Sequence, residues 1–132
     1  MSSDRALPGS MPGGGRVQRL YALPPGFDSL VQQSQAEGFR FLQRMRDEWV
    51  AGSNRFCGAG EALFAAFDAA TAVGVCGLNA GPYSRSPEAS RVGRVRHLYV
   101  SPTYRCRGHA SALLRAVISL AIVVVALSDV WP

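Results

Sequence analysis

The chain has 132 residues, 48% hydrophobic and 17% charged, a size that suits one compact domain and excludes two-domain enzymes and long coiled coils. All 14 cationic side chains are arginine, which excludes Schiff-base chemistry on lysine. The net charge of +5 is uneven, because residues 85–115 hold seven Arg against Glu88 alone, a local +6 that suits a phosphate-bearing cofactor, nucleic acid or an acidic membrane surface, with a solvated charged face as the alternative.

Residues 1–15 are rich in Pro, Gly and Ser and contain no apolar stretch of the secretory kind, so a disordered tail on a cytoplasmic protein is expected. Everything from residue 16 to 132 then belongs to a single domain. Arg16 to Ala22 alternates polar and apolar residues as a half-buried strand does, and Pro24-Pro25-Gly26 ends it. From Asp28, read as an N-cap, Leu30, Val31, Phe39, Leu42, Met45 and Trp49 recur at helical intervals with a break at Gly38, predicting helices over 28–36 and 38–50.

Residues 51–60 read as a loop. Glu61 to Ala70 and Thr71 to Gly81 read as two strands joined by a turn at Asp68-Ala69-Ala70-Thr71, with Gly74, Gly77 and Gly81 marking bulges or close backbone approach. A polar loop, Pro82 to Ser90, precedes a strand over 92–100. Its alternation puts Val95, His97 and Tyr99 on one face and Arg94, Arg96, Leu98 and Val100 on the other. Ser101 to Arg107 reads as a turn, and Gly108 opens a helix whose buried stripe is Ala112, Leu113, Ala116, Val117 and Leu120.

The apolar run Ala116 to Leu127 is about a dozen residues, short of the roughly 20 that span a bilayer, so no membrane is expected as a partner. Whether 121–127 continues the helix or becomes a strand stays open, since Ile122 to Val125 is β-branched but no Gly or Pro precedes it. The sum is an α/β (α+β) domain with a mixed, mostly antiparallel sheet flanked by helices.

Cys57, Cys76 and Cys106 are an odd number without Cys-x-x-Cys spacing, and His97 and His109 are the two histidines, so neither a disulfide framework nor a metal site is expected. Cys57 and Cys76 read as small core residues. The chemistry gathers at Leu98 to Leu114. There a strand enters a short turn containing Arg105, Arg107 and Gly108, and the turn opens a helix. Backbone N–H groups and the positive end of the helix then converge on one spot, an anion site suited to a pyrophosphate, while Arg105 and Arg107 add mobile cationic donors. An ordinary helix N-terminus with two exposed arginines is the alternative.

These residues resemble the GNAT-type N-acetyltransferases, whose acetyl-CoA signature is Arg/Gln-x-x-Gly-x-Gly/Ala. Here it reads Arg105-x-x-Gly108-x-Ala110, preceded by Leu98-Tyr99-Val100-x-Pro102 and followed by Ser111-Ala112-Leu113-Leu114. The resemblance covers about residues 16–120 and implies the GNAT fold, acetyl-CoA as cosubstrate and an amine as acceptor.

It further implies that backbone groups of Leu98, Tyr99 and Val100 pair with the pantetheine arm in a gap between two splayed strands. An N–H near Val100 would polarise the thioester carbonyl, and main-chain amides of Arg105, Cys106, Arg107, Gly108, His109 and Ala110 would wrap the pyrophosphate. The amine would attack directly, with no covalent enzyme intermediate.

Cys106 and Ala110 stand where members often carry Gly. No acidic base occurs at Arg94-Val95-Arg96-His97, so His97 is the candidate base, with a strand histidine packed under a helix as the alternative. Tyr83 and Glu88 are candidates for substrate contact.

In the family a further strand, a helix that often carries a tyrosine acid, and a closing strand pair follow the helix after the phosphate turn. This chain stops after at most one such strand, so it is expected to lack the other wall of the pantetheine cleft. Two other readings follow. One is an inactive remnant that acts through self-association, as a homodimer, or through a partner covering 116–127. The other is a nucleic-acid module, disfavoured because neither an aromatic-stacking nor a helix-turn-helix pattern accompanies the arginines.

Overall fold

A computed structural model describes residues 15–80, 93–120 and 125–129. The expected tail, and the loop with Tyr83 and Glu88, lie outside the described residues. The elements in chain order are β1 (Gly15–Leu20), α1 (Phe27–Ala36), α2 (Phe41–Ala51), β2 (Ala62–Asp68), β3 (Thr71–Ala80), β4 (Gly93–Val100), a 3-10 turn (Pro102–Tyr104), α3 (His109–Leu120) and β5 (Val125–Asp129). The five strands form one sheet in the order β1-β2-β3-β4-β5, antiparallel except for the parallel β4–β5 pair. Of the undecided stretch 121–127, residues 125–127 are therefore strand, and 121–124 lie outside the described residues.

Each face of the sheet carries its own core. On one, α1 and α2 bury Phe27, Leu30, Val31, Leu42 and Met45 against Leu63, Val75 and Tyr99. On the other, α3 buries Ala112, Leu113 and Val117 against Ala66, Cys76, Leu78 and Val95. The helix starts differ slightly from the spacing-based expectation. Gly26, at φ 86°, is the N-cap of α1 and its carbonyl accepts from Leu30 N–H at 3.1 Å, so Asp28 falls in the first turn, where it pairs with Arg46 at 3.1 Å. Gly38 at φ 90° turns the chain and Phe39 N–H caps Ser34 O at 2.9 Å, which delays α2 to Phe41. The β2–β3 hairpin closes where expected, with Asp68 paired to Thr71 and Ala69 at φ 54°.

One feature of β4 departs from regular alternation. Val75 pairs with Tyr99 and Gly77 with Arg96, so two residue steps on β3 oppose three on β4. The extra residue lies in His97-Leu98, and His97 itself takes a left-handed φ of 61°. Before this bulge Val95 faces α3, as its cross-strand partner Leu78 does; after it Tyr99 faces α1 and α2, as Val75 does. The expected face shared by Val95, His97 and Tyr99 is thus split, because one inserted residue inverts the side-chain period.

Candidate functional site

Among the described residues the bulge follows directly on the last β4–β5 pair. Gly93, Arg94 and Arg96 pair with Val125, Ala126 and Asp129, and among the described residues Leu98, Tyr99 and Val100 have no β5 partner. One strand, Val125–Asp129, follows α3 among the described residues, and it lies beside the first part of β4. Ser101 N–H donates to Val73 O at 2.8 Å on the β3 side. Tyr99 pairs with Val75 and Ser101 bonds Val73, so their N–H groups point to β3 and that of Val100, between them, points to the open edge. The Tyr99 side chain, 4% exposed, goes instead to the α1–α2 face.

Beyond Val100 the turn is tightly specified. Pro102 starts the 3-10 turn, Tyr104 N–H donates to Ser101 O at 2.9 Å, and the Tyr104 hydroxyl donates to Asp68 Oδ2 at 2.8 Å, tying the turn to the β2–β3 hairpin. Cys106 (φ 64°) and Gly108 (φ 86°) both take left-handed conformations, and a Cβ on Gly108 would meet nothing within 4 Å. The first bond of α3 runs from Ala112 N–H to Gly108 O at 3.0 Å. Gly108 has no side chain with which to cap, and helix geometry leaves the N–H groups of Gly108, His109, Ala110 and Ser111 without intrahelical acceptors. They lie at the positive end of a 12-residue helix.

The two turn arginines have different roles. Arg105 is committed to the protein: Nε donates to Val100 O at 3.0 Å, and its two terminal nitrogens form a fork on Glu37, at 2.8 and 2.6 Å. It is therefore not the mobile donor expected. Arg107 is exposed, with its guanidinium 5.3 Å from the centre of the Tyr104 ring. His109 is 6% exposed, edge-on to Tyr104, and its Nδ1 is buried without a hydrogen-bond partner. Burial, helped by the Arg107 charge, lowers its pKa.

His97 is 2% exposed, stacked on Phe41 of α2 and edge-on to Phe56, both ring centres 6.2 Å away. Phe56 reaches it by lying over Gly77, where a Cβ would come within 2.5 Å of the ring. Cys76 is buried and its thiol is pushed up to about 12 by desolvation, which suits a core residue. Cys57 is exposed instead, because the 51–60 loop carries it over the surface, and Cys106 is exposed on the turn. Among the described residues no group of three or more His, Cys, Asp or Glu could hold a metal ion. No helix among them is long and apolar enough to cross a membrane.

Two structural groups escaped the sequence reading. Glu61 accepts from Gly58 N–H and Ala80 N–H, each at 3.0 Å, and from Asn79 Nδ2 at 3.1 Å, pinning the 52–61 loop to β3. A polar Asn79 inside an apolar strand was the available signal. Glu37 is the other, and no local pattern marks it.

The family comparison meets this geometry directly. The model of the acetyltransferase (GNAT) family matches residues 27–125. The chain belongs to that family. No curated protein matches it in sequence. Among solved structures, this GNAT chain is similar to a candidate acetyltransferase from Exiguobacterium sp. 255-15, at 26% identity and a TM-score of 0.72, over 86% of this chain and 76% of that one. A Clostridium acetobutylicum protein, solved with acetyl-CoA and described as an acetyltransferase, shares the fold at 14% identity and a TM-score of 0.57, over 87% and 80%. A GCN5-related N-acetyltransferase from Kribbella flavida does so at 18% identity and a TM-score of 0.59, over 83% and 66%.

Proposed function

We propose that this GNAT domain binds acetyl-CoA along the open edge of β4 and transfers the acetyl group to an amine. The observation that carries the reading is a continuous path. Among the described residues the β4 edge at Leu98 and Val100 has no β5 partner, and it leads within eight residues to the backbone amides at the N-terminus of α3, where the Gly108 surface is open. These residues fit the cofactor: an extended amide-bearing arm can pair with a strand edge, and its phosphates with helix N-terminal N–H groups. Backbone amides from Arg105 to Ala110 and the Arg107 side chain hold the phosphate end, and Leu98 and Val100 hold the arm.

Bound acetyl-CoA supplies an acetyl group activated as a thioester. The chain's own contribution is position and charge: the Val100 N–H is fixed at the open edge as the donor for developing negative charge on the acetyl oxygen. Overall, a C–N bond forms as the C–S bond breaks, and the proton lost by the amine balances the one gained by the thiol. His97, one residue before Leu98, is the proposed acceptor of the amine proton through a water, since its buried ring excludes direct contact with a large substrate.

Titration calorimetry with acetyl-CoA tests the reading. Saturable heat at micromolar to hundred-micromolar cofactor is expected, followed by thiol release with at least one member of a panel of primary amines. No heat at hundred-micromolar acetyl-CoA overturns cofactor binding, and binding without thiol release from any amine overturns acetyl transfer.

A further inference from the structure

Glu37 is the residue that ends α1, and its carboxylate lies where three parts of the fold meet. It receives the Arg105 fork at 2.8 and 2.6 Å and the Tyr99 hydroxyl at 2.6 Å. The Arg105 guanidinium also lies 5.5 Å from the centre of the Tyr99 ring, and its Nε holds the Val100 carbonyl at 3.0 Å. One carboxylate therefore joins the end of α1, the end of β4 and the first arginine of the turn. The side chains of Arg105 and Glu37 keep 41% and 29% of their exposure, and exposed ion pairs add little to stability. A planar two-bond fork, by contrast, fixes direction closely.

The direction matters at Val100. A strand residue presents its N–H and its carbonyl on the same side, so the Val100 carbonyl also points to the open edge. Arg105 occupies that acceptor and leaves the adjacent N–H as the donor the edge offers. We propose that Glu37 is a positioning residue for the phosphate turn: by holding Arg105 it clips the turn to the Val100 carbonyl and locks α1 to the same strand. The proposal rests on the acetyl-CoA reading above and concerns how tightly the phosphate end is held.

The test compares two acetyl thioesters, acetyl-CoA and the acetyl thioester of N-acetylcysteamine, which has the reactive end without the phosphates. By calorimetry Glu37→Gln, which frees Arg105 from its charged partner, is expected to weaken acetyl-CoA binding about tenfold. With an amine that wild type accepts, KM for acetyl-CoA rises alike and kcat changes less than twofold. For the truncated thioester kcat/KM stays within twofold of wild type, which a general loss of structure would not allow. Arg105→Lys keeps the charge but not the fork and should match the Glu37→Gln loss, with no further loss in the double variant; it also serves if Glu37→Gln fails to fold. Equal acetyl-CoA affinity in wild type and both single variants overturns the role of Glu37, as does an equal loss with both thioesters. Wild type that binds no acetyl-CoA overturns the functional reading itself.

Discussion

Cys106 sits at φ 64°, a conformation that costs an L-residue with a Cβ roughly 1–2 kcal/mol. It is exposed and on the turn, so its side chain brings no core packing to offset that cost. Cys106→Gly should therefore raise stability by about 1 kcal/mol, or about 4 °C in Tm for a domain this size. A thermal melt under reducing conditions checks it. Gly77 presents the opposite case. A methyl there would lie 2.5 Å from Phe56 Cε1, and Phe56 in turn is edge-on to His97. Gly77→Ala is expected to destabilise by about 1–3 kcal/mol, read as a lower urea midpoint with an unchanged m-value. His109 adds a pH term. Its folded pKa lies below the ordinary 6.5, first through burial and then through Arg107, so the unfolded chain binds the proton more readily. Its contribution is present above about 6.5 and is lost as pH falls through the folded value. His109→Phe, which keeps a ring against Tyr104, should flatten the fall in Tm between pH 7 and 5.

At the scale of elements, the strands and helices were legible because their periods are strong, while the arrangement at the end of β4 was not. Val95-Arg96-His97-Leu98-Tyr99 reads as unbroken alternation, and a bulge inserts a residue without disturbing that pattern. Only pairing with β3 reveals it. The turn signature survived reading because its parts are local, a positive-φ glycine followed by a helix start. The Glu37–Arg105 pair was invisible for the converse reason, being 68 residues apart in the chain. That pair predicts an acid response joining α1 to β4. The Arg105 hydrogen bonds, then the Tyr99 hydroxyl, hold the Glu37 carboxyl below its ordinary 4.5. A depressed carboxyl stabilises the fold above its unfolded pKa and loses that contribution as pH falls through the folded value. The Tm difference between wild type and Glu37→Gln should thus be largest near pH 7 and shrink towards pH 3. A constant difference across that range would show that the carboxylate charge is not what the clip uses.

For the whole molecule, the uneven charge acquires a location. Of the seven arginines in residues 85–115, Arg105 and Arg107 lie on the turn itself, and one of them is already neutralised by Glu37. At the turn itself, the positive character left for an anion therefore comes from backbone amides and Arg107. The sheet adds a second asymmetry: β5 pairs with β4 only up to Arg96, so the far half of β4 lacks a strand on that side among the described residues. A ligand that lies along this half while touching the start of α3 adds contacts to both elements at once. It binds the folded state alone, and at 100 times its Kd such a ligand adds about 2.7 kcal/mol. For a domain this size that is a rise in Tm of about 10 °C. Acetyl-CoA should produce it in a thermal melt, and the truncated thioester at the same concentration should produce much less, because it cannot reach the amides at Gly108 to Ser111. Equal shifts from the two would place the stabilising contact on the strand edge rather than at the helix start.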